Sequence, residues 1–101
     1  MKARIEKKYE TLIKNVHFYL CYLFLEIQDF KNCLKHGEIL ISQFSGRLTS
    51  KTQFTVYQYM GEANCMLGNY DEAMANIEES EQLDEPQLKD PNDPESGKIR
   101  V

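Results

Sequence analysis

Residues 54–86 read FTVYQYMGEANCMLGNYDEAMANIEESEQLDEP, and this stretch decides the fold. Apolar residues recur at helical spacing on both sides of Gly68-Asn69. Gly68 suits the left-handed position that follows the last turn of a helix. Asn69 with Glu72 forms an N-cap and N3 pair that can begin the next helix. The stretch therefore predicts two helices joined by a tight turn.

The same signals set the limits of this hairpin. Ser50 with Gln53 predicts a capping box, so we expect a helix from Ser50 to Leu67. The second helix of the pair is predicted from about Tyr70 to Gln82, where the apolar periodicity ends. Pro86, Pro91 and Pro94 then fall in a polar stretch without periodicity, and residues 87–101 are predicted to be a disordered tail or linker.

The first half of the chain predicts a second hairpin. No Pro or Gly interrupts the apolar stripe between Lys2 and Ile27, which predicts one long helix. Asp29 can cap the next helix, predicted from about Phe30 to Gln43 and followed by a loop at Ser45-Gly46. Phe30 and Tyr70 open equivalent helices 40 residues apart. We therefore expect an all-α fold of two antiparallel helical hairpins, with a long first helix and a polar C-terminal tail.

Composition narrows the classes of function. The net charge of −4 combines +4 over residues 1–61 with −8 over residues 62–101, and an acidic half disfavours nucleic acid as the main partner. The longest apolar run has eight residues, too few to cross a membrane. The three cysteines show no paired spacing, which predicts no metal, no cofactor and reduced thiols in the cytoplasm or nucleus. No catalytic constellation is recognisable, so we expect a protein that is not an enzyme.

Residues 54–86 resemble the tetratricopeptide (TPR) repeat family. The family pattern can be placed on Tyr57, Met60, Gly61, Gly68, Tyr70, Ala73, Ala75, Ile77, Leu83 and Pro86, whereas Asn64 stands where the family has Tyr and Pro86 falls one residue late. A looser copy uses His17, Leu20, Cys21, Phe24, Phe30, Cys33, Gly37 and Leu40. Cys21 and Cys33 fall where helices cross closely, and Cys is a compact apolar residue. The resemblance implies an α-solenoid segment.

On this basis the chain divides into five parts. They are an extension of the first helix (1–13), a degenerate TPR-like repeat (14–47), a loop and cap (48–53), a TPR-like repeat (54–86) and the tail (87–101).

The resemblance also implies a binding groove on the first helix of each repeat. Its positions in this chain are Asn15, Phe18, Tyr19, Tyr22, Leu25, Glu26, Thr55, Gln58, Tyr59, Glu62 and Cys65. Relatives that grip a C-terminal carboxylate use Lys and Asn at several of these positions. This chain has Phe18, Tyr22, Gln58 and Glu62 there instead, which excludes that mode. An aromatic groove with an acidic rim suits an apolar helix or peptide.

A protein-interaction scaffold is thus the expected function, as a segment of a larger TPR protein or a complex subunit. The run from Cys33 to Glu38 and the run from Tyr59 to Cys65 also resemble TPR subunits of the NOT-type mRNA deadenylase complex, which implies a scaffold that holds partner subunits. Adjacent repeats could equally cover the groove aromatics. Alternatively, the stripe from Ile5 to Ile27 could form the seam of a homodimer.

Overall fold

Four α-helices make up the part of the chain that the structure, a computed structural model, describes, which is residues 7–83. They are α1 (Glu10–Glu26), α2 (Phe30–Gln43), α3 (Ser50–Met66) and α4 (Tyr70–Glu81), with a 3-10 turn at Ser45–Arg47. No strand occurs within this range. The predicted all-α fold of two helical hairpins, α1–α2 and α3–α4, is confirmed. The predicted tail, Pro86 and Ile5 lie outside the described residues.

The two hairpins repeat each other at an offset of 40 residues. This offset separates the starts of α1 and α3, the ends of α1 and α3, and the starts of α2 and α4. It also relates the two left-handed residues, Gln28 (φ 66°) and Gly68 (φ 83°). In both turns the following N–H, from Asp29 and Asn69, returns at 2.8 Å to a carbonyl of the preceding helix. The spacing expected from Phe30 and Tyr70 therefore extends to the backbone of both turns.

The helix caps agree with the sequence in one case and differ in two. Asp29 caps α2 as predicted, accepting from the Asn32 N–H at 3.4 Å and from the Asn32 side chain at 2.7 Å. The cap of α3 is Thr49 rather than Ser50, and its hydroxyl accepts from the Thr52 N–H at 3.1 Å. Thr49 has the extended backbone (φ −67°, ψ 156°) that an N-cap requires.

The other corrections concern Gln53, Asn69 and Tyr9. The Gln53 amide donates to the carbonyl of Leu48 at 3.2 Å, so it holds the preceding loop rather than completing a capping box. Asn69 occupies the N-cap of α4, but its side chain accepts no first-turn N–H and donates instead to Asn64 Oδ1 at 3.4 Å. At the start of the described chain, Tyr9 leaves the helical backbone (φ −106°, ψ 17°), so α1 begins at Glu10.

The core lies around α3, which packs against all three other helices. Cys21, Leu25 and Cys33 of the first hairpin form one buried cluster with Ala63. Leu40 forms a second cluster with Val56 and Met60. Each cluster joins the two hairpins, so α3 is as much a part of the first hairpin's core as of its own. None of the four helices has the length and apolarity needed to cross a membrane.

Candidate partner-binding surfaces

Small residues bring the helices together at two equivalent crossings. A Cβ on Gly61 would lie 2.8 Å from Ile77 Cδ1, so a larger residue at the α3–α4 crossing would require the Ile77 side chain to shift. At the α1–α2 crossing, Cys21 and Gly37 occupy the corresponding positions, and a Cβ on Gly37 would lie 3.5 Å from Cys21 Sγ and 2.7 Å from Met60 Cγ of α3. The larger side chain of the pair thus lies on the first helix of the first hairpin, where Cys21 faces Gly37. In the second hairpin it lies on the second helix, where Ile77 faces Gly61.

The cysteines at the first crossing are packed together. Cys21 and Cys33 are completely buried, and their sulfurs lie 3.7 Å apart. The hydrogen bond to Cys33 and burial both raise the pKa of the Cys21 thiol. Cys21 is therefore a protonated, space-filling side chain at neutral pH.

Asn64 belongs to a buried network of amide side chains. Its Nδ2 donates to Asn76 Oδ1 at 2.7 Å, and its Oδ1 accepts from Asn69. Within residues 7–83, no buried side-chain nitrogen or oxygen lacks a hydrogen-bond partner. Asn64 therefore ties α3 to α4 by a polar contact.

His17 and His36 form a packing pair between α1 and α2. Their Nδ1 atoms are 2.9 Å apart, so one ring must donate and the other must accept. His36 also stacks on Phe24 with ring centroids 5.5 Å apart. Burial lowers the pKa of His36, and the nearby His17 and Lys35 lower it further. These contacts occupy His17 in packing.

Aromatic rings line a groove between α1 and α3, which we call the α1–α3 groove. The Tyr59 ring lies 6.0 Å from Phe18 and 5.8 Å from Tyr22, centroid to centroid. Tyr59 is half-buried against the Cys21 cluster, and burial raises its pKa. Tyr22 is 39% exposed and Tyr19 is 62% exposed. The groove therefore has a fixed aromatic floor and an accessible aromatic wall.

The start of the groove opens into a cavity of about 350 Å³. Its lining comes from the first turns of α1 and α3 and from the loop between the hairpins, namely Thr11, Lys14, Asn15, Phe18, Tyr19, Arg47, Leu48, Thr49 and Thr52. The two cations of this cavity, Lys14 and Arg47, are not among the residues predicted from the sequence. Lys14 Nζ donates to the Arg47 carbonyl at 2.8 Å, and the Arg47 guanidinium pairs with Glu10 at 3.0 Å. Since Arg47 comes from the loop, no periodic signal in the sequence points to it.

Several predicted groove residues lie elsewhere. Leu25 is a core residue that packs with Cys21 and Cys33, so it is not available to a partner. Gln58 Nε2 donates to Ser80 Oγ at 2.9 Å, which turns this side chain towards α4. Thr55 lines neither the cavity at the start of the groove nor the cavity formed by α3 and α4, and its hydroxyl donates within α3 to the carbonyl of Lys51. These differences arise because the rotation of each helix about its axis depends on its neighbours.

Four of the five predicted groove residues of α3 belong to a second surface. Gln58, Tyr59, Glu62 and Cys65 line a cavity of about 650 Å³ together with Gly61 and, from α4, Tyr70, Ala73, Met74 and Ile77. We call this surface the end face. Its wall is mainly apolar, and Tyr70 and Met74 are largely exposed. The exposed members of the predicted groove set are Asn15, Tyr19, Tyr22, Glu26, Glu62 and Cys65, and Tyr59 borders both surfaces.

A third apolar surface runs along α1, and we call it the α1 stripe. It consists of the exposed residues Tyr9, Leu12, Val16, Leu23 and Ile27, with the half-buried Leu20 between them. Their spacing of three, four and seven residues places them along one side of the helix. This is the described part of the stripe that the sequence predicts as a dimer seam.

Two further observations concern metal binding and similarity to known proteins. Within residues 7–83, no group of three or more His, Cys, Asp or Glu side chains is placed to hold a metal ion. Comparisons of the chain with protein-family models, with curated proteins and with solved structures give no match.

Proposed function

We propose that this chain is a protein-binding segment of the tetratricopeptide type, and that its α1–α3 groove takes an apolar helix or peptide. The observation that carries the proposal is the set of rings at the groove: Phe18 and Tyr59 form the floor, while Tyr19 and Tyr22 remain exposed beside an open cavity. Exposed tyrosines on a rigid helical support are the side chains that most often carry binding energy at protein interfaces.

The two ends of the groove differ in charge. Lys14 and Arg47 lie at the end where α1 and α3 begin, whereas the exposed carboxylates Glu26 and Glu62 lie towards the ends of these helices. Arg47 is paired with Glu10 and Lys14 donates to a backbone carbonyl, whereas within residues 7–83 neither Glu26 nor Glu62 forms an ion pair. A partner helix with apolar residues on one face and Lys or Arg at one end would therefore fit the groove in one orientation.

The looser resemblance to NOT-type deadenylase subunits selects the first partners to test. We propose mRNA deadenylation as the process, with the segment holding another subunit of that complex. A set of helical peptides that tile the subunits of the complex would be titrated against the chain by fluorescence anisotropy.

Tyr19→Ala and Tyr22→Ala are the informative substitutions. Each should weaken binding of a positive peptide by roughly tenfold, because an interface tyrosine commonly contributes more than about 1 kcal/mol. Tyr70→Ala, which removes a ring outside the groove that is about as exposed as Tyr19 and more exposed than Tyr22, is the control. Tyr59→Ala is less suitable because Tyr59 also packs against the core. If Tyr19→Ala and Tyr22→Ala leave the affinity unchanged while Tyr70→Ala lowers it, the peptide binds outside the α1–α3 groove.

Self-association through the α1 stripe is the second candidate. Leu12, Val16, Leu23 and Ile27 are all exposed along one helix, an arrangement suited to a symmetric helix–helix seam. In that case the chain should be a dimer in solution, and Leu12→Asp or Val16→Asp should make it a monomer.

A further inference from the structure

The end face is the repeat-equivalent of a surface that is already covered within this chain. Subtracting 40 from its residue numbers gives Phe18, Tyr19, Cys21, Tyr22, Leu25, Phe30, Cys33, Leu34 and Gly37 on the first hairpin. Most of these pack against α3: Cys21, Leu25 and Cys33 cluster with Ala63, and Gly37 is closely approached by Met60. On the first hairpin, the equivalent surface is covered by α3. The end face is therefore suited to a helix whose contacting residues are arranged like those of α3.

The α1 stripe is the repeat-equivalent of the surface with which α3 makes those contacts. The contacting residues Val56, Met60 and Ala63 correspond at the same offset to Val16, Leu20 and Leu23. The former three are buried, whereas Val16 and Leu23 are about half exposed. The described chain therefore carries both halves of an interface, one at each end, and both are uncovered.

We propose that a second copy of this chain covers the end face, with its α1 seated as α3 is seated on the first hairpin. Val16, Leu20 and Leu23 of one copy then pack against Gly61, Ala73, Met74 and Ile77 of the next. The end face shares Tyr59 and Glu62 with the α1–α3 groove, but this inference does not rest on the ligand of the groove.

Side-chain size is complementary around Leu23 in the proposed contact, whereas at Leu20 the receiving side is larger, with Ile77 in place of Gly37. The incoming residue Leu23 is larger than its equivalent Ala63. Facing it, the end face has Gly61 and Cys65 where the first hairpin has the larger Cys21 and Leu25. The added bulk on α1 is therefore met by reduced bulk on the receiving helix, as close packing requires.

Charge favours joining the two different ends over joining like ends. Residues 7–61 contain seven Lys or Arg and four Asp or Glu, whereas residues 62–83 contain six Asp or Glu and no Lys or Arg. Two end faces brought together would repel, because α4 alone carries five carboxylates. Opposite ends attract, and this long-range attraction also orients the approaching copies.

A contact between two different surfaces leaves one of each unused in a pair of chains. It is heterologous, so association continues by addition of further copies unless the rotation closes a ring. A symmetric α1–α1 seam would instead stop at two chains. The growth of mass with concentration therefore separates the two modes of association.

The experiment uses the full chain and two substitutions on exposed positions, Leu23→Asp and Met74→Asp. Leu23→Asp disrupts the α1 stripe and leaves the end face intact, whereas Met74→Asp disrupts the end face and leaves the α1 stripe intact. Sedimentation velocity across a wide concentration range should show growth beyond two chains for the native sequence. Each variant alone should stay near the single-chain mass of 11.8 kDa, and an equimolar mixture should form a two-chain species and no larger one.

Met66→Asp is the matched control, because Met66 is 60% exposed and Met74 is 61% exposed, yet Met66 lines neither surface. It should associate as the native chain does, and far-UV circular dichroism should show unchanged helicity in all three variants. A monomeric native chain would overturn the proposal. So would a native dimer that does not grow, native-like association of Met74→Asp, or a mixture of variants that remains monomeric.

Discussion

At the scale of single residues, the structure shows how the unusual residues of the first hairpin, Gln28 and the two cysteines, are accommodated. Gln28 adopts a left-handed conformation (φ 66°) at the position where its repeat-equivalent is Gly68. A side chain in this conformation costs about 1 kcal/mol. The turn nevertheless keeps the same backbone hydrogen bonds as its equivalent. The paired cysteines are likewise structural, since Cys21 and Cys33 fill a helix crossing and contact each other.

Thiol reactivity tests this assignment of the cysteines. Cys65 is exposed, whereas Cys21 and Cys33 are buried. The pKa of Cys21 is raised, so little thiolate, the reactive form, is present near neutral pH. The Cys21 hydrogen bond lowers the pKa of Cys33, but burial keeps reagents away from its sulfur. With a chromogenic disulfide reagent we expect one of the three thiols to react rapidly in the native protein and all three in denaturant.

The Cys65→Ser variant provides the control for that measurement. It should lose the rapid phase and leave only the slow reaction of the two buried thiols, at a rate set by unfolding. Rapid reaction of two thiols in the native chain would show that the Cys21–Cys33 contact opens readily.

At the scale of helices, the two hairpins solve the same crossing with different pairs of residues. Cys21 faces Gly37 in the first, and Gly61 faces Ile77 in the second. Each crossing thus combines one glycine with one larger residue, but the larger residue is on the first helix in one hairpin and on the second helix in the other. Such compensation is expected because a well-packed crossing tolerates neither a void nor an overfilled site.

Gly61→Ala should destabilise the chain by about 1–3 kcal/mol, since the new methyl group would meet Ile77 Cδ1 at 2.8 Å. Ile77→Val removes that carbon, so we expect the double variant to be more stable than the two separate losses predict. Urea unfolding followed by circular dichroism measures the coupling free energy. Gly46→Ala is the control, because nothing lies within 4 Å of a Cβ there. Strictly additive losses would contradict the assigned contact.

At the scale of the whole molecule, α3 makes the two hairpins one cooperative unit. Its residues Val56, Met60 and Ala63 are buried mainly against the first hairpin. Among the described residues, α4 contributes only Ala73 and Ser80 to the buried set. The second hairpin therefore depends on the first for most of its apolar burial, and neither hairpin should unfold separately.

Leu40→Ala tests this dependence. Leu40 is fully buried between α2 and α3, and its truncation should cost about 2–5 kcal/mol. We expect one transition in urea, with the far-UV helix signal and tyrosine fluorescence changing together. Met66→Ala, on an exposed position, should change the free energy of unfolding by no more than about 0.5 kcal/mol. Separate transitions for the two signals would show that the hairpins are independent.

The number, order and approximate limits of the helices could be predicted from the sequence because the determining interactions are local. Apolar periodicity, a glycine suited to the left-handed turn and polar caps act within a few residues of one another. The same signals also revealed the 40-residue repeat. Even the misplaced cap, Ser50 instead of Thr49, is an error of one position between adjacent residues that can both accept a hydrogen bond.

Only the tertiary structure decided which side of each helix faces a neighbour. It placed Leu25 in the core, turned Gln58 towards Ser80, and brought Arg47 from a loop beside Lys14. It also placed four of the five predicted groove residues of α3 on the end face. These outcomes depend on the rotation and approach of helices distant in sequence. The pattern of apolar residues constrains that geometry, but the size and contacts of the side chains at each crossing determine it.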